Sequence, residues 1–318
     1  MKRLALLLAA VALCACGTRG SLYQDALRPL PLVTTRGSLV QIVPQTRKAV
    51  VVTPGEPQPA AVDISKGARI ASSPPGSNLV LVLGGTAKAP LLDLVDVSSG
   101  ERLTLDAPGF FDAIHFSPDA RFAVLTYVAG AGTGTLAARN LNEVGLVDLE
   151  AKTVVRLQLD TESLAPRSVL FGPSEANRRL VAVALERGVA VFDALHPEVA
   201  PRRISLRPQG STDETSVAKA VFSDDGHWLF VRATGLDDVV VIELGTEVGV
   251  PVSASVNFVS GGRGLTDIAA PPGGLKDSVL AVFAASEEAF ILDARGIVDN
   301  ARRIGLPDAL SKAAVLQG

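Results

Sequence analysis

One sequence pattern recurs five times along this chain, and a recurring pattern constrains the fold before any single residue does. "RIASSPPGSNLVLVL" begins at Arg69, "IHFSPDARFAVLTY" at Ile114, "VLFGPSEANRRLVAVAL" at Val169, "AVFSDDGHWLFVRA" at Ala220 and "IAAPPGGLKDSVLAVFA" at Ile268. In each, a short apolar strand runs into a turn of Pro, Asp, Gly or Ser, and a second apolar strand follows. Pro at the second turn position presets φ and Gly accepts positive φ, which gives these tetrads the chemistry of tight turns. Each turn is followed by an acid set between apolar residues: Asp96, Asp148, Asp193, Glu243 and Asp293, spaced 52, 45, 50 and 50 residues apart. One unit therefore holds four strands: a before the turn, b after it, c ending at the acid, and d leading to the next unit.

Four short, Val-rich antiparallel strands per unit describe a β-propeller blade, so the expected fold class is all-β, a β-propeller of four-stranded blades. The competing architectures, a β-sandwich or paired barrels, rarely repeat one long unit five times. The turns "IHFSPDARF" and "VFSDDGHW" resemble those of the WD40-like and TolB-type propeller families, and the resemblance extends over nearly all of the mature chain. It implies that the acid ending strand c stands where WD40 repeats carry a Trp-Asp pair. No unit here has that Trp; the single Gly-His dipeptide, Gly226-His227, lies in the turn between strands a and b, and Ala120 and Ser174 replace expected turn residues.

Ahead of the first full unit, residues 38–65 supply b, c and d strands without an a strand. "LSKAAVLQG", from Leu310 to Gly318, aligns with the a strand of "VAKAVFSDDG" and stops where the turn would begin. The expectation is six blades, with the C-terminal strand completing the N-terminal blade and removing an exposed sheet edge.

The N-terminus, "MKRLALLLAAVALCACG", has a basic start at Lys2 and Arg3, an apolar run and then small residues, the layout of a secretory signal too short to span a bilayer. Leu13-Cys14-Ala15-Cys16 resembles the lipobox of bacterial lipoproteins, which places a small residue before the Cys that becomes diacylated. Cys16 fits with Ala15 before it, and Cys14 does not, because bulky Leu13 precedes it. An ordinary cleaved signal with incidental cysteines is the competing reading. Both cysteines of the chain lie here, so the mature protein would keep one, acylated, and form no internal disulfide. The resemblance implies a multi-chain lipid anchor and, with Gly17 rather than Asp next in line, the outer membrane. The expected organisation is a signal peptide over 1–15, the lipidated Cys16 and a tether over 16–37, and a single propeller domain over 38–318.

The full chain carries 30 Lys and Arg against 33 Asp and Glu, a net charge of −3. Without clustered basic residues, nucleic acid is not an expected partner. Aromatics at 4% leave no stacking platform for bases or sugars. The Gly-rich "GAGTG" at Gly130–Gly134 lacks the Gly-Lys-Ser/Thr ending of a phosphate loop. His115, His196 and His227 fall at different places in their repeats with no zinc-ligand spacing, and no Gly-x-Ser-x-Gly elbow is present. Asp119, Asp224 and Asp225 read as turn-capping residues, and the c-strand acids as hydrogen-bonded to turn backbone. No catalytic residue, cofactor or metal site is assigned.

In propellers the d–a and b–c loops share one rim. The longer irregular loops fall there: 129–142, 160–168, 207–216 and 260–267. Loops on a rigid scaffold carry function, so the candidate interaction residues are Arg139, Asn140, Asp160, Glu162, Arg207, Asp213, Glu214, Arg263 and Asp267. The leading expectation is a non-enzymatic, lipid-anchored scaffold that binds another envelope protein through this rim. The alternatives are a lactonase-like hydrolase with a metal in the central channel, whose ligands need share no motif, and a periplasmic small-molecule sensor with an apolar pocket. Fold alone does not choose among them.

Overall fold

The b and c segments are almost wholly apolar rather than alternating, which marks strands buried on both faces. The structure, a computed structural model, describes residues 29–127, 142–162, 165–208, 210–212, 214–271, 277–295 and 298–305, the last as backbone. These residues form six four-stranded antiparallel sheets, each with its strands in chain order. They are the blades of an all-β propeller fold.

The chain divides into two compact units, residues 1–106 and 107–318. The first unit holds sheet 1, with β1 (Val33–Thr34), β2 (Leu39–Val43), β3 (Lys48–Val52) and β4 (Ala60–Asp63), and sheet 2, with β5 (Ile70–Ser72), β6 (Leu79–Thr86), β7 (Ala89–Asp96) and β8 (Arg102–Asp106). The second holds sheet 3, with β9 (Ala113–Phe116), β10 (Phe122–Thr126), β11 (Glu143–Asp148) and β12 (Thr153–Gln158), and sheet 4, with β13 (Pro166–Phe171), β14 (Leu180–Leu185), β15 (Val189–Asp193) and β16 (Arg202–Ile204). It continues with sheet 5, made of β17 (Val217–Phe222), β18 (Trp228–Ala233), β19 (Val239–Leu244) and β20 (Ala254–Val259), and sheet 6, made of β21 (Leu265–Ala269), β22 (Ser278–Phe283), β23 (Glu288–Asp293) and β24 (Val298–Gly305). Each of the five repeats thus supplies its four strands in the expected order.

The expected b, c and d strands of sheet 1 are β2, β3 and β4. Its first strand is β1, drawn from the stretch that sequence reasoning gave to the tether. A turn makes this hairpin: the Thr35 N–H donates to the Ser38 carbonyl at 2.9 Å and the Thr35 hydroxyl to the same oxygen at 3.0 Å. Sheet 1 has its four strands without Leu310–Gly318; that segment, expected to close this blade, lies outside the described residues.

The cores lie between consecutive sheets of each unit. On β14, Leu180, Ala182 and Ala184 pack toward sheet 5, against Leu229, Val231, Val240 and Ile242. The alternate residues Val181, Val183 and Leu185 pack toward sheet 3, against Phe122, Val124, Val144 and Leu146. Successive strand residues point to opposite faces, so one apolar run serves two cores. In the first unit, Val40 and Ile42 of sheet 1 meet Val80 and Val82 of sheet 2 in the same way. The d strands form the outer edges, and β8 and β12 present mostly exposed, polar side chains, which discourages pairing with another edge.

The a–b turns repeat a side-chain device. Ser117 donates its hydroxyl to Asp119 Oδ1 at 2.6 Å and accepts the Phe122 N–H at 2.9 Å. Ser223 does the same with Asp225 at 2.6 Å and the Trp228 N–H at 3.0 Å. Asp119 and Asp225 are therefore the turn caps expected of them. The strand-ending acids close the next corner: Asp148 Oδ1 accepts the N–H groups of Glu150 at 2.9 Å and Ala151 at 2.8 Å. Asp193 Oδ1 accepts those of Leu195 at 3.0 Å and Arg179 at 2.8 Å.

Two equivalent turns differ at their left-handed position. Gly226 has φ 69°, and Ala120, in the matching place, is held at φ 58°. An L-residue with a Cβ is disfavoured in that left-handed region. Ala120→Gly is expected to stabilise the protein by up to about 1 kcal/mol, read as a higher urea midpoint. A lower midpoint would show that the alanine methyl contributes packing that outweighs the strain.

Candidate functional site

Four of the expected rim residues meet in one place. Asp160 and Glu162 lie on the β12–β13 loop, and Arg207 and Glu214 on the β16–β17 loop. Between these loops, within the second unit, is a polar cleft of about 340 Å³ lined by Glu162, Arg187, Arg203, Arg207, Thr212 and Glu214.

The local backbone explains the placement. Arg187 occupies the tight turn between β14 and β15, where the Leu185 N–H donates to the Gly188 carbonyl at 3.1 Å. Gly188 has φ 77°, and a Cβ there would stand 2.6 Å from the Ile204 carbonyl oxygen. Glycine therefore lets this turn lie against β16. The turn is also tied to both flanking loops, by the Glu186 N–H to the Ala165 carbonyl at 3.1 Å and the Gly188 N–H to the Thr215 carbonyl at 3.2 Å. Three loops from two neighbouring blades are thereby fixed relative to one another.

At the centre stands Arg203 of β16. Its Nε lies 2.5 Å from Asp160 Oδ2, and its two terminal nitrogens donate to Glu214, Nη1 at 3.3 Å to Oε1 and Nη2 to Oε2. Glu214 Oε1 also accepts the Ser205 hydroxyl at 2.6 Å, and Arg207 Nη2 lies 3.8 Å from it. The Asp160 and Glu214 side chains are only 10% and 11% exposed. Burial acts to raise the Glu214 carboxyl, but the Ser205 and Arg203 hydrogen bonds and the charges of Arg203 and Arg207 outweigh it and hold the pKa below the ordinary carboxylate value. Burial likewise opposes the Arg203 cation, and Glu214, Asp160 and Glu162 outweigh it, raising its pKa.

The other expected rim residues sit elsewhere. Asp267 lies within β21, nearly buried, where it accepts the Ile268 N–H at 2.9 Å and faces Lys219 Nζ of β17 at 2.8 Å. It ties two neighbouring first strands together and is not a free rim carboxylate. Arg263 is exposed on the β20–β21 loop, its N–H bound to the Ser286 hydroxyl at 3.0 Å. Arg139, Asn140, Asp213 and Cys16 lie outside the described residues. Sequence reasoning missed Arg203, Arg187, Ser205 and Thr212. Arg203 lies on the last strand of its sheet, outside the long loops from which the candidate residues were drawn.

The histidines are accounted for locally. His115 Nε2 is 3.0 Å from Thr126 Oγ1, and burial pushes its pKa below the ordinary histidine value. His196 and His227 lie 3.3 and 3.5 Å from Glu198 and Asp225. Among the described residues, no three His, Cys, Asp or Glu side chains gather as a metal-holding group. Protonation of His115 favours the unfolded chain, so its share of stability is present above about pH 6.5 and falls as pH drops below that value. Urea denaturation at pH 7.5 and 5.5 is expected to show a loss that His115→Gln reduces; equal losses in both proteins would remove His115 as the cause.

No protein-family model matches the sequence, and no curated protein matches it. Solved structures similar to the chain include the Pseudomonas aeruginosa periplasmic gluconolactonase PpgL, at 16% identity and TM-score 0.42 over 87% of this chain and 85% of that one. The Cps50 (Swd1) beta-propeller domain of Myceliophteria thermophila aligns at 12% identity and TM-score 0.38 over 82% of each chain. Apo AztD from Citrobacter koseri aligns at 11% identity and TM-score 0.41 over 86% of this chain and 70% of that one. At such identities the likeness extends to the fold class alone, and the β-propeller assignment rests on the six sheets themselves.

Proposed function

We propose that this protein is a lipid-anchored, non-enzymatic β-propeller of the bacterial cell envelope that binds a protein partner through the rim carrying the Arg203 cleft. The observation that supports this reading most is the cleft's construction. Holding an arginine between two largely buried carboxylates is a poor way to gain stability, because desolvation cancels most of the attraction. It is a good way to hold three loops in one arrangement before a partner arrives, which reduces the ordering cost of association. Cys16, in its lipobox-like setting, would carry the lipid that keeps the propeller at the membrane, with the outer membrane favoured by Gly17.

Photocrosslinking in cells tests the surface. A photoreactive residue at Thr212, on the cleft, is expected to give a discrete adduct with an envelope protein. The same residue at Glu198, on the β15–β16 loop of the opposite rim, is expected to give none. Adducts from both positions alike, or from neither, would remove the rim as the binding surface. For the anchor, Cys16→Ser is expected to abolish palmitate labelling and shift the protein out of the membrane fraction, and an unchanged distribution would overturn it.

A further inference from the structure

Among the described residues, the cleft has more hydrogen-bond donors than acceptors. Glu214 is already engaged by Ser205, Arg203 and Arg207, and Asp160 by Arg203 and the Thr161 N–H at 2.6 Å. A guanidinium carries five N–H donors, so Nη1 and Nη2 of Arg203 each keep one N–H beyond their bonds to Glu214, and its Nε, though paired in charge with Asp160, makes no hydrogen bond. Arg187 is exposed and makes no hydrogen bond or ion pair with the described residues. Arg207, 54% exposed, has among the described residues the 3.8 Å approach to Glu214 alone. The Thr212 hydroxyl adds another donor at the lining. Against these donors, the one lining carboxylate without a hydrogen bond to the described residues is Glu162.

We infer that the cleft takes a carboxylate, presented by an acidic segment of the partner protein, with Arg187 and Arg207 gripping it and Arg203 as a fixed floor. The planar guanidinium fork matches a carboxylate in two-point geometry, which a lysine would not. Arg203 cannot swing away to meet a ligand, because Asp160 and Glu214 hold it on two sides. Arg187 and Arg207 are free to close. Glu162 sets the direction of approach: it repels an anion placed beside it and turns the carboxylate toward Arg187 and Arg207. An open cleft of about 340 Å³ fits a few side chains of an extended segment.

This inference rests on the rim being the partner surface, and its test separates the two. The probe is fluorescein-labelled hexaglutamate, its anisotropy read against the full-length lipidated protein in a neutral detergent. Binding is expected to weaken with added salt and to be absent for hexaglutamine. Arg187→Gln with Arg207→Gln is expected to weaken it at least about tenfold, and Glu162→Gln to strengthen it. Arg102→Gln, on the outer strand β8, is expected to leave it unchanged. Failure of hexaglutamate to bind, or equal binding by the double variant at an unchanged melting temperature, would overturn the proposal. Citrate that competes as well as hexaglutamate, molecule for molecule, would replace the acidic segment by a small free carboxylate. If the Thr212 crosslink persists while hexaglutamate fails, the rim stands and the carboxylate falls; if both fail, so does the rim.

Discussion

Replacing Asp93 with alanine is expected to cost about 3–4 kcal/mol of folding stability. Asp93 lies on β7 and is 1% exposed. Its Oδ2 accepts the Ser65 N–H at 2.6 Å, and its Oδ1 accepts the Ser65 hydroxyl at 2.8 Å and the Thr104 hydroxyl at 2.7 Å. Thr104 is its cross-strand partner on β8, and Ser65 belongs to the connection between β4 and β5. One carboxylate therefore joins the c strand and d strand of sheet 2 to the segment that brings the chain over from sheet 1. Alanine leaves a part-buried N–H and two hydroxyls without their acceptor. Asn is expected to do little better, since one oxygen must serve three donors and its amide adds two more. Urea denaturation of both variants checks this. A loss below about 1 kcal/mol for Asp93→Ala would mean that water or a shifted side chain replaces the carboxylate, since hydrogen bonds to charged groups ordinarily contribute more.

Arg203→Met is expected to cost about 2–3 kcal/mol and, more tellingly, to weaken the acid loss of stability that Glu214 contributes. In the native protein Glu214 titrates below its ordinary value of 4.5. A depressed folded pKa gives stability that is present above that ordinary value and lost as pH falls through the lower folded one. Without Arg203, its hydrogen bond and charge no longer lower the Glu214 pKa, while burial still raises it and Ser205 and Arg207 still lower it; the folded value moves up from its native position, and less stability is lost as pH falls. The double variant Arg203→Met with Glu214→Gln is expected to recover part of the loss at pH 7, because it removes a charge left without its partner. Stability measured between pH 7 and 4 decides: parallel curves for native protein and Arg203→Met would show that Glu214 does not depend on Arg203.

The blades were legible because they repeat. A tight turn and a strand-ending acid recur in five units, and each maps to the a–b turn and the c-strand end of a sheet. The first strand of sheet 1 was hidden because Pro29 and Pro31 give the segment before it the look of a tether. The cleft was half legible. Asp160, Glu162, Arg207 and Glu214 lie in long loops, and loop length points to them. Arg203 lies inside a short outer strand and Arg187 in a tight turn, where sequence reads charge as solvation. That Asp160 of one blade meets Arg203 of the next depends on which loops the fold sets side by side, and no local spacing encodes it. Asp267 shows the converse: a loop-end acid by sequence, it is a strand residue tied to Lys219.

The strand β14, which serves one core through its odd residues and another through its even ones, has a consequence for how such a chain can change over evolutionary time. A substitution there has two sets of neighbours to satisfy, which favours the small and branched residues it carries, "LVAVAL". Sheet 4 cannot be duplicated or lost as a cassette unless both faces of the newcomer suit the blades on either side. Blade number is thus constrained by packing. The rim loops, which enter those two cores through few residues such as Leu159 and Leu206, are where new specificity can arise at little structural cost.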